Sequence, residues 1–540
     1  MKIRSFFRNN KLFTIISFAF FIWFVFLIIL SIINNRTVIF YDALGQVDVS
    51  SEYSSNYPLL RYFIEPLYVI GYILGYEFTW MFLFLMFYPI VRGIYLYLKK
   101  KGRFSSEKYK FITHYITDII SFSFKILSLA ILIVGIYILI GFSLQGYFFI
   151  SRYFMVPIQL AIRIGMILIA IKIVFSVIQL FYPKLRPKST IKFFNRKLKN
   201  FPERSRRINR EIVLYVGIGT LLLSSNILLI STPFPPHEIE PIVPLEDDEF
   251  LFDFHVHTTY SDGWLTVEER IKWYIKQGIS GAAFTDHDNL RGAKSAQRYV
   301  QENGMDFIVF IGEEWTDNAN DFHMNYYGLT EEIVPLQSYT PGGPVAMNAS
   351  DTISYVKANG GYITVNHYNY DPNPSGGNGV PYTLDQFRDW GVDGFEIVNG
   401  GSYGGKYQQI RDYCLSNNLT CMGGSDIHTN EDINTFIKLK LADPTNFTIP
   451  NIFETLKNNT HQVIAVNLNP EVIDFPGDLN DFGFYVFESY LNYLFNMDTF
   501  QVLSWVIWSG LIYIIFCFSY SKLKNVDLKQ IKHKFELLKK

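Results

Sequence analysis

The stretch DFHVHTTYSDG (Asp253–Gly263) decides the fold of the middle of this chain, because it places two histidines at the end of a short apolar run. Alternate residues of an extended chain point to the same side, so His255 and His257 can bind one ion together. Asp262 lies in the Ser-Asp-Gly turn that follows and can reach a neighbouring ion. The stretch therefore predicts a strand that ends in a metal site.

Similar charged motifs follow along the chain, and together with the first they contain six of its ten histidines. These motifs are TDHD (Thr285–Asp288), GEEW (Gly312–Trp315), FHMNYYG (Phe322–Gly328), VNHYN (Val365–Asn369) and GGSDIH (Gly423–His428). They add the candidate ligands His287, His323, His367, Asp426 and His428. Asp288 fits a helix N-cap equally well, and only one of the adjacent Glu313 and Glu314 can point into a site.

Short β-rich runs alternate with helical patterns between residues 250 and 470. Strands are predicted at 250–255, 281–285, 307–311, 323–328, 361–366, 394–398, 420–423 and 462–466. Helices are predicted at 266–277, 292–303, 350–359, 383–389, 404–416 and 449–458. This alternation predicts an α/β fold built from parallel β/α units. The charged motifs then fall at the carboxyl ends of strands, where β/α barrels place their chemistry.

The ligand types indicate which ions would bind. About nine nitrogen and oxygen ligands, with no cysteine, exceed what one ion uses, so two or three divalent ions are expected. Imidazole and carboxylate ligands favour zinc, manganese or iron. Such a cluster can activate water at neutral pH and bind the oxygens of a phosphoryl group.

The ordered motifs HxH, YSDG, DH, GxE, two single histidines and GSDxH resemble the polymerase and histidinol phosphatase (PHP) family of metal-dependent phosphoesterases, over roughly residues 250–467. The resemblance implies a distorted (β/α)7 barrel and a di- or trinuclear centre. Many members of the family carry histidine where this chain has Asp262. The implied ligands are His255, His257, Asp262, His287, Glu314, His323, His367, Asp426 and His428.

The resemblance also implies how these ligands divide among the ions. Glu314, rather than Glu313, would bridge ions. The first ion would be held by His255, His257 and Asp426, the second by Asp262, His287 and His428, and the third by His323 and His367. Within this set, Glu314, His287 and Asp426 are the expected catalytic residues.

The implied activity is that of a metal-dependent phosphoric ester hydrolase, a phosphatase or phosphodiesterase that uses a metal-activated water. Two alternatives stay open. One is a metal-dependent amidohydrolase, because those barrels also use HxH and late aspartate ligands. The other is a membrane receptor or transporter with a PHP-like binding domain, because charged residues inside membrane spans often mark function. The charges concerned are Asp118, Lys125, Arg163 and Lys172.

The composition predicts a multi-pass membrane protein, because 49% of the residues are hydrophobic and only 18% are charged. Spans are predicted near 12–33, 77–97, 118–142, 153–180, 211–231 and 499–520. Lysine and arginine cluster before the first span, after the second, before the fifth and in the tail. The positive-inside rule then places both termini in the cytoplasm and the histidine-rich domain outside the cell membrane.

The predicted domains follow from these patterns. They are a membrane region of about five spans at 1–231, a Pro-rich acidic linker at 232–249, a PHP-like metallohydrolase domain at 250–476, an interfacial helix and final span at 483–521, and a basic cytoplasmic tail at 522–540. The linker is predicted to act as an extended spacer. The segment 58–75 carries Arg61 and Glu65, so it is either an interfacial helix or a partly buried span.

The sequence gives less information about binding partners and about the state of the cysteines. The net charge of −1 indicates no nucleic-acid partner. A phosphorylated small molecule or a membrane-proximal phosphoester is the expected substrate, and the lipid bilayer is the expected surroundings. Cys414 and Cys421 flank a helix-to-strand loop, and they are either a disulfide of an external domain or two small buried residues.

Overall fold

A computed structural model describes the chain at residues 11–33, 38–75, 78–102, 107–146, 149, 153–181, 202–320, 322–368 and 380–525. The helices are α1 (Lys11–Ile33), α2 (Leu59–Gly75), α3 (Trp80–Lys100), α4 (Glu107–Gln145), α5 (Met155–Phe181), α6 (Glu203–Ile230), α7 (Val267–Lys276), α8 (Arg291–Asn303), α9 (Ala349–Ala358), α10 (Leu384–Trp390), α11 (Lys406–Ser416), α12 (Ile449–Leu456), α13 (Gly477–Asn480), α14 (Tyr485–Asn496) and α15 (Thr499–Asn525). A short 3-10 helix covers Leu336–Ser338.

The strands are β1 (Ile39–Asp42), β2 (Val47–Asp48), β3 (Tyr53–Asn56), β4 (Glu238–Pro241), β5 (Glu249–Val256), β6 (Gly281–Phe284), β7 (Ile308–Asp317), β8 (Phe322–Tyr327), β9 (Ile333–Pro335), β10 (Val345–Met347), β11 (Tyr362–Asn366), β12 (Gly394–Asn399), β13 (Thr420–Gly424), β14 (Thr435–Lys440) and β15 (Gln462–Asn467). Eleven of them form one sheet, in the order β13-β12-β11-β8-β7-β6-β5-β14-β15-β1-β2. This sheet confirms the predicted α/β class.

Pairing within this sheet is mixed, whereas the alternation of elements predicted parallel units. The triplets β5-β6-β7 and β11-β12-β13 are parallel. Strand β8 runs antiparallel to both β7 and β11, because a connection as short as the one between β7 and β8 permits only an antiparallel pair. The start of β8 therefore lies at the same edge of the sheet as the carboxyl ends of the six parallel strands.

The predicted closed barrel of seven strands is not confirmed. The strand order is that of an open sheet, whose edges are β13 and β2. A single bridge joins Val256, at the end of β5, to Ile427, just beyond β13. This bridge brings the two parallel triplets together at their carboxyl ends, where the charged motifs lie.

The segment 38–56, which lies within the predicted membrane region at 1–231, contributes strands to the sheet. Strand β1 pairs with β15, with Ile39 opposite Asn467, and β2 pairs with β1. Strand β14 was also missed by the sequence analysis and pairs with β5 and β15. The polypeptide between the first two candidate spans is therefore part of the same sheet as the histidine-rich domain.

Local sequence signals explain where several helices begin and end. A capping box starts α7, where Thr266 and Glu269 each accept a backbone hydrogen bond from the other residue. A second capping box, formed by Thr383 and Gln386, starts α10. Gly304 ends α8 in the left-handed conformation that glycine adopts without strain. These signals set the ends of helices that flank the strands with the charged motifs.

Among the described residues, six helices are long and apolar enough to cross a membrane. They are Phe13–Ile33, Trp80–Lys100, Tyr115–Gln145, Met155–Ile178, Glu203–Ile230 and Thr499–Tyr520. These are the positions that hydropathy predicted. Insertion in a membrane and the orientation of the termini stay predictions, and residues 526–540 of the basic tail lie outside the described part of the chain.

Charged residues within these candidate spans have partners. Lys172 Nζ lies 2.7 Å from Asp118 Oδ2, and Arg163 donates a hydrogen bond to the Ser231 carbonyl oxygen at 2.9 Å. Pairing within the helical bundle, together with side chains that reach to helix ends, accounts for these three charges without a transport role.

The segment 58–75 contains α2, which is not among the candidate spans. Arg61 and Glu65 form an ion pair at 3.0 Å, and both are 1% exposed. Arg61 also pairs with Asp432 at 3.0 Å. These charges explain why a helix of this apolarity is bound to the histidine-rich domain.

The predicted spacer at 232–249 packs against the rest of the protein. Its strand β4 pairs with β3, and its His237 is fully buried. The backbone N–H of His237 donates to Asp432 at 2.9 Å. The linker therefore holds the domain against the helices instead of lifting it away, and the proline-rich composition did not reveal this pairing.

The two cysteines of the domain, Cys414 on α11 and Cys421 on β13, are buried and free. This outcome fits the interpretation of two small buried residues. Helix α14 occupies the region predicted as an interfacial helix, and it carries the buried residues Tyr493 and Leu494.

Candidate metal centre

The nine predicted ligands lie at one edge of the sheet. His255 is in β5 and His257 directly follows it, Glu314 is in β7, and His323 is the second residue of β8. His287, His367 and the pair Asp426 and His428 come shortly after β6, β11 and β13, while Asp262 lies in the loop between β5 and α7. The sheet therefore brings side chains from six strands and the loops beside them to one place.

The first group of ligands consists of His255, His257 and Asp426. The Nε2 atoms of the two histidines are 3.1 Å apart. Asp426 Oδ1 lies 3.3 Å from His255 Nε2 and 3.1 Å from His257 Nε2. Two ligand atoms bound at about 2.1 Å to one tetrahedral ion lie about 3.4 Å apart, so this spacing suits a divalent ion.

The second group consists of His257, Asp262, His287 and His428. Asp262 lies between its neighbours, with Oδ1 3.3 Å from His428 Nε2 and Oδ2 3.4 Å from His287 Nε2. His257 Nδ1 is 3.7 Å from Asp262 Oδ1. One aspartate and three imidazoles are a common ligand set for zinc or manganese.

The third group contains His287, Glu314 and His323, and His367 lies beside it. His323 Nδ1 is 3.0 Å from Glu314 Oε1 and 3.1 Å from His367 Nε2. His367 Nε2 is 3.5 Å from the same carboxylate oxygen. Glu314 therefore links this group to the others through its second oxygen.

Glu314 occupies the centre of the whole arrangement and is fully buried. Its Oε2 lies 2.9 Å from His287 Nδ1 and 3.2 Å from His257 Nε2. Among the described residues this oxygen has no hydrogen-bond partner of suitable geometry. A buried carboxylate oxygen surrounded by imidazole nitrogens, yet without a hydrogen bond, fits a ligand that binds ions.

Opposite charges dominate the electrostatics of the centre. Burial opposes ionisation of Glu314, but neighbouring imidazoles outweigh it and hold the pKa of this carboxyl well below its usual range. Burial also opposes charge on His255, but Asp426 and other carboxylates raise its pKa well above the usual range. In the same way Asp262 raises the pKa of His428 to about 9. The carboxylates thus favour protonation of His255 and His428, and bound divalent ions would displace those protons.

Glu396 and Asn399, both in β12, lie behind the candidate ligands. Glu396 Oε1 is 2.8 Å from His255 Nδ1. Asn399 donates to Glu396 at 3.0 Å and to the ligand Asp426 at 3.2 Å. Gly424 permits this approach, because a Cβ there would lie 2.3 Å from the Cβ of His255. A carboxylate on the second ring nitrogen fixes the orientation and basicity of a metal-binding histidine.

Substitution of Glu396 by glutamine is expected to weaken metal binding about tenfold, as is typical when the partner of a metal-binding histidine is changed. The amide keeps the size of the side chain but removes the charge that supports His255. Calorimetric titration of metal-free protein with Mn²⁺ measures the effect. Glu454→Gln, on the exposed side of α12, is the matched control, and equal affinities for the two variants would contradict this role.

Asp253 is a functional residue that the sequence analysis missed. Its fully buried carboxylate accepts hydrogen bonds from Tyr274 and from the backbone N–H groups of His255 and Ser425. Burial raises the pKa of Asp253. The side chain thus connects the strand that carries His255 to the loop that carries Asp426. Its position two residues before His255, on the same side of the strand, was an available signal.

The neighbouring acidic residues are structural. Asp286 accepts from Thr258 and Ser261 and so orders the loop before Asp262. Asp288 accepts a hydrogen bond from the backbone N–H of Thr316 at 3.1 Å. The N-cap residue of α8 is Leu290, so Asp288 is not the N-cap of this helix. Glu313, the neighbour of the candidate ligand Glu314, does not point into the site. It is buried on the other face of β7.

Arg291, the first residue of α8, contacts two aromatic rings. Its guanidinium carbon lies 4.4 Å from the ring centroid of Tyr153, which belongs to the helical part, and 5.0 Å from that of Tyr260. Tyr260 belongs to the loop that carries Asp262. Arg291 therefore connects the ligand loops to the helices through cation–π contacts.

Histidines and carboxylates from several loops converge at the carboxyl edge of this α/β sheet, and they form a candidate metal centre. Residues 253–358 match the PHP domain family. The match lies within the histidine-rich part of the chain and agrees with the family resemblance of the motifs there.

Similar proteins fall into two kinds. The 5'-3' exoribonuclease Rnm of Salmonella typhimurium is 28% identical over 83 residues, which cover 15% of this chain and 28% of that protein. A 5'-3' exoribonuclease of Haemophilus influenzae is 35% identical over 66 residues, which cover 12% and 24% of the two chains. The chain thus spans about a quarter of the length of these curated relatives.

The solved structures include a two-domain protein from Bacteroides vulgatus described as containing a "predicted PHP-like metal-dependent phosphoesterase". It is 20% identical, with a TM-score of 0.33, and the match covers 44% of this chain and 69% of that one.

Proposed function

We propose that this protein is a membrane-anchored, metal-dependent phosphoesterase that hydrolyses a phosphate ester outside the cell membrane. The observation that carries the proposal is the buried Glu314 carboxylate, whose two oxygens lie within 3.5 Å of imidazole nitrogens from all three ligand groups. Two or three zinc, manganese or iron ions fit these groups. When bound, such ions supply an activated water and offset the charge of the phosphoryl oxygens.

The protein's own residues have distinct roles in this proposal. Buried His255 and Glu314, both fully enclosed, would fix the inner ligand positions. Asp262 and His428 have side chains that are 39% and 32% exposed, so substrate would approach from their side. His287, together with Glu314 and Asp426, would connect the groups and align the reacting oxygens, as expected of the catalytic set.

The site itself favours a phosphoester over the alternatives. Ions held by three adjoining groups of ligands can bind both the attacking and the leaving oxygen of a phosphoryl centre. A receptor does not require three groups of metal ligands to bind its ligand. The RNA substrate of the similar exoribonucleases belongs to those proteins, and the net charge of −1 gives this chain no general attraction for nucleic acid. A phosphorylated small molecule or a membrane-proximal phosphoester remains the proposed substrate.

Purified full-length protein in detergent is expected to contain at least two divalent ions and to hydrolyse p-nitrophenyl phosphate or bis(p-nitrophenyl) phosphate when Mn²⁺ or Zn²⁺ is supplied. Substitution of His255 by alanine should abolish both properties. The matched control is His461→Ala, because His461 is also buried but contacts only the Cys421 carbonyl among the described residues.

Phosphoester hydrolysis no faster than that of His255→Ala would contradict the proposal. Hydrolysis of p-nitroacetanilide without any phosphoester hydrolysis would favour the amidohydrolase alternative. Bound metal without hydrolysis of either compound would leave the receptor or transporter alternative, which transport measurements in liposomes address.

A further inference from the structure

We propose that the substrate of this metal centre is the phosphate ester of a membrane lipid, bound with its headgroup among the ligands and its chains in the bilayer. This inference rests on the proposed phosphoesterase function and on the proposed membrane insertion. It adds the class of substrate, and it follows from where the ligand loops meet the apolar helices.

The loop that carries Asp262 is bound to α5. Gln159 donates from its side-chain amide to the Trp264 carbonyl oxygen at 2.9 Å, and Gln159 is 4% exposed. Trp264 in turn donates its backbone N–H to the carbonyl oxygen of the ligand His428. One hydrogen-bonded path therefore connects the candidate span Met155–Ile178 to two ligand loops.

The loop that carries Asp426 and His428 is bound to the end of α6. The backbone N–H of Asn430 donates to the Ile230 carbonyl oxygen at 3.2 Å, and its side-chain amide donates to Leu229 at 2.8 Å. Ile230 is the last residue of the candidate span Glu203–Ile230. Only Thr429 lies between His428 and Asn430, the residue that contacts the end of this helix.

These contacts fix the depth of the centre relative to the helices. Gln159 is four residues beyond Met155, which is about 6 Å along a helix. Asp262 is two residues from Trp264, so their Cα atoms are at most about 8 Å apart. The headgroup layer on each side of a bilayer is roughly 5–8 Å thick. If the candidate spans cross a membrane, the metal centre lies at the level of lipid headgroups.

The open side of the centre is the side that faces the helices. His255 and Glu314 are completely buried, whereas Asp262 and His428 are the most exposed ligands among the nine, at 39% and 32%. These two exposed ligands belong to the loops that contact α5 and α6. A phosphate that enters the centre therefore passes along the helix ends.

The rim of this opening has the composition of a membrane interface. Trp264 and Tyr260 lie on the Asp262 loop. The Arg291 guanidinium contacts Tyr260 and also Tyr153, which belongs to the helical part. Tryptophan, tyrosine and arginine are the residues that favour the headgroup region of a bilayer. A soluble phosphate ester does not need an interfacial surface in order to bind, whereas the phosphate of a membrane lipid already lies at this depth.

The test compares one headgroup on long and short chains. Full-length protein with Mn²⁺ is assayed for phosphate release from dioleoyl phosphatidic acid and dihexanoyl phosphatidic acid, each in mixed micelles of one detergent at equal bulk concentration. We expect kcat/KM at least tenfold higher for the dioleoyl lipid. Equal or lower values for this lipid, alongside hydrolysis of the dihexanoyl compound or p-nitrophenyl phosphate, would overturn the inference and leave the phosphoesterase function standing.

Absence of hydrolysis of every compound would instead reject the phosphoesterase function, and with it this inference. Gln159→Leu tests the contact between α5 and the Asp262 loop. We expect it to lower the long-chain preference at least threefold while p-nitrophenyl phosphate hydrolysis changes less than twofold. The matched control is Gln301→Leu, on the exposed surface of α8. An unchanged preference in Gln159→Leu would contradict the role given to the helix contacts.

Discussion

Substitution of Glu314 by glutamine is expected to lower both metal content and phosphoester hydrolysis by more than about 100-fold, beyond the range typical for residues that only support a ligand. Both oxygens of this carboxylate lie between imidazole groups, at 3.0 Å from His323 Nδ1 and 2.9 Å from His287 Nδ1. An amide offers one oxygen in place of two and no charge. Bridging of two ions therefore fails even though the shape of the side chain is kept.

The adjacent residue provides a matched control for this prediction. Glu313 is also fully buried, but it points to the other face of β7, where its Oε1 accepts from the backbone N–H of Ile333 at 3.3 Å. Glu313→Gln is expected to keep its metal content and activity and to change only stability. Metal analysis by mass spectrometry and hydrolysis of p-nitrophenyl phosphate separate the two variants. Similar losses in both would show that the effect is structural.

The candidate ligands could be picked out from the sequence because most of their motifs follow a recognisable strand. His255 and His257 come at the end of a run of apolar residues, and Asp426 and His428 come after glycines that permit close approach. Parallel strands bring residues at their carboxyl ends to one edge of the sheet, whether the sheet is open or closed into a barrel. The position of the nine residues therefore did not depend on whether a closed barrel forms.

Supporting residues were harder to find, because their role depends on strand register. Glu396 lies in the middle of β12, and nothing in the motif GFEIVNG shows that its carboxylate meets His255, 141 residues earlier. The same holds for β1, whose partner β15 is more than 400 residues away along the chain. Hydrophobic periodicity reports local structure, whereas these contacts are set by the tertiary fold.

The contact between helices and domain is the largest feature that the sequence did not predict. A proline-rich acidic linker is typical of an extended spacer, yet Asp432 accepts hydrogen bonds from both the linker and α2. The partners Arg61 and Asp432 are 371 residues apart. Their charges were visible in the sequence as an interruption of an apolar segment, but the sequence did not identify the partner.

Substitution of Arg61 by methionine is expected to destabilise the protein by about 3–5 kcal/mol, the cost typical of removing one partner from a buried ion pair. Arg61 is 1% exposed and contacts the carboxylates of Glu65 and Asp432, which are 1% and 3% exposed. Both carboxylates would remain buried without their counter-charge. The midpoint of thermal unfolding in one detergent measures the loss.

A surface pair on α6 is the matched control. Arg207 and Glu203 are also four residues apart on a helix, but they are 70% and 81% exposed, so Arg207→Met should cost no more than about 0.5 kcal/mol. The triple variant Arg61→Met, Glu65→Gln and Asp432→Asn should recover part of the stability, because no uncompensated charge remains.

The Arg61 variant should also affect the metal centre. Asp432 is four residues beyond the ligand His428, in the loop that Asn430 binds to the end of α6. Loss of the ion pair would release this loop, so Mn²⁺ affinity should fall in Arg61→Met and stay unchanged in Arg207→Met. Equal unfolding midpoints and equal metal affinities for these two variants would show that the buried pair does not hold the ligand loop against the helices.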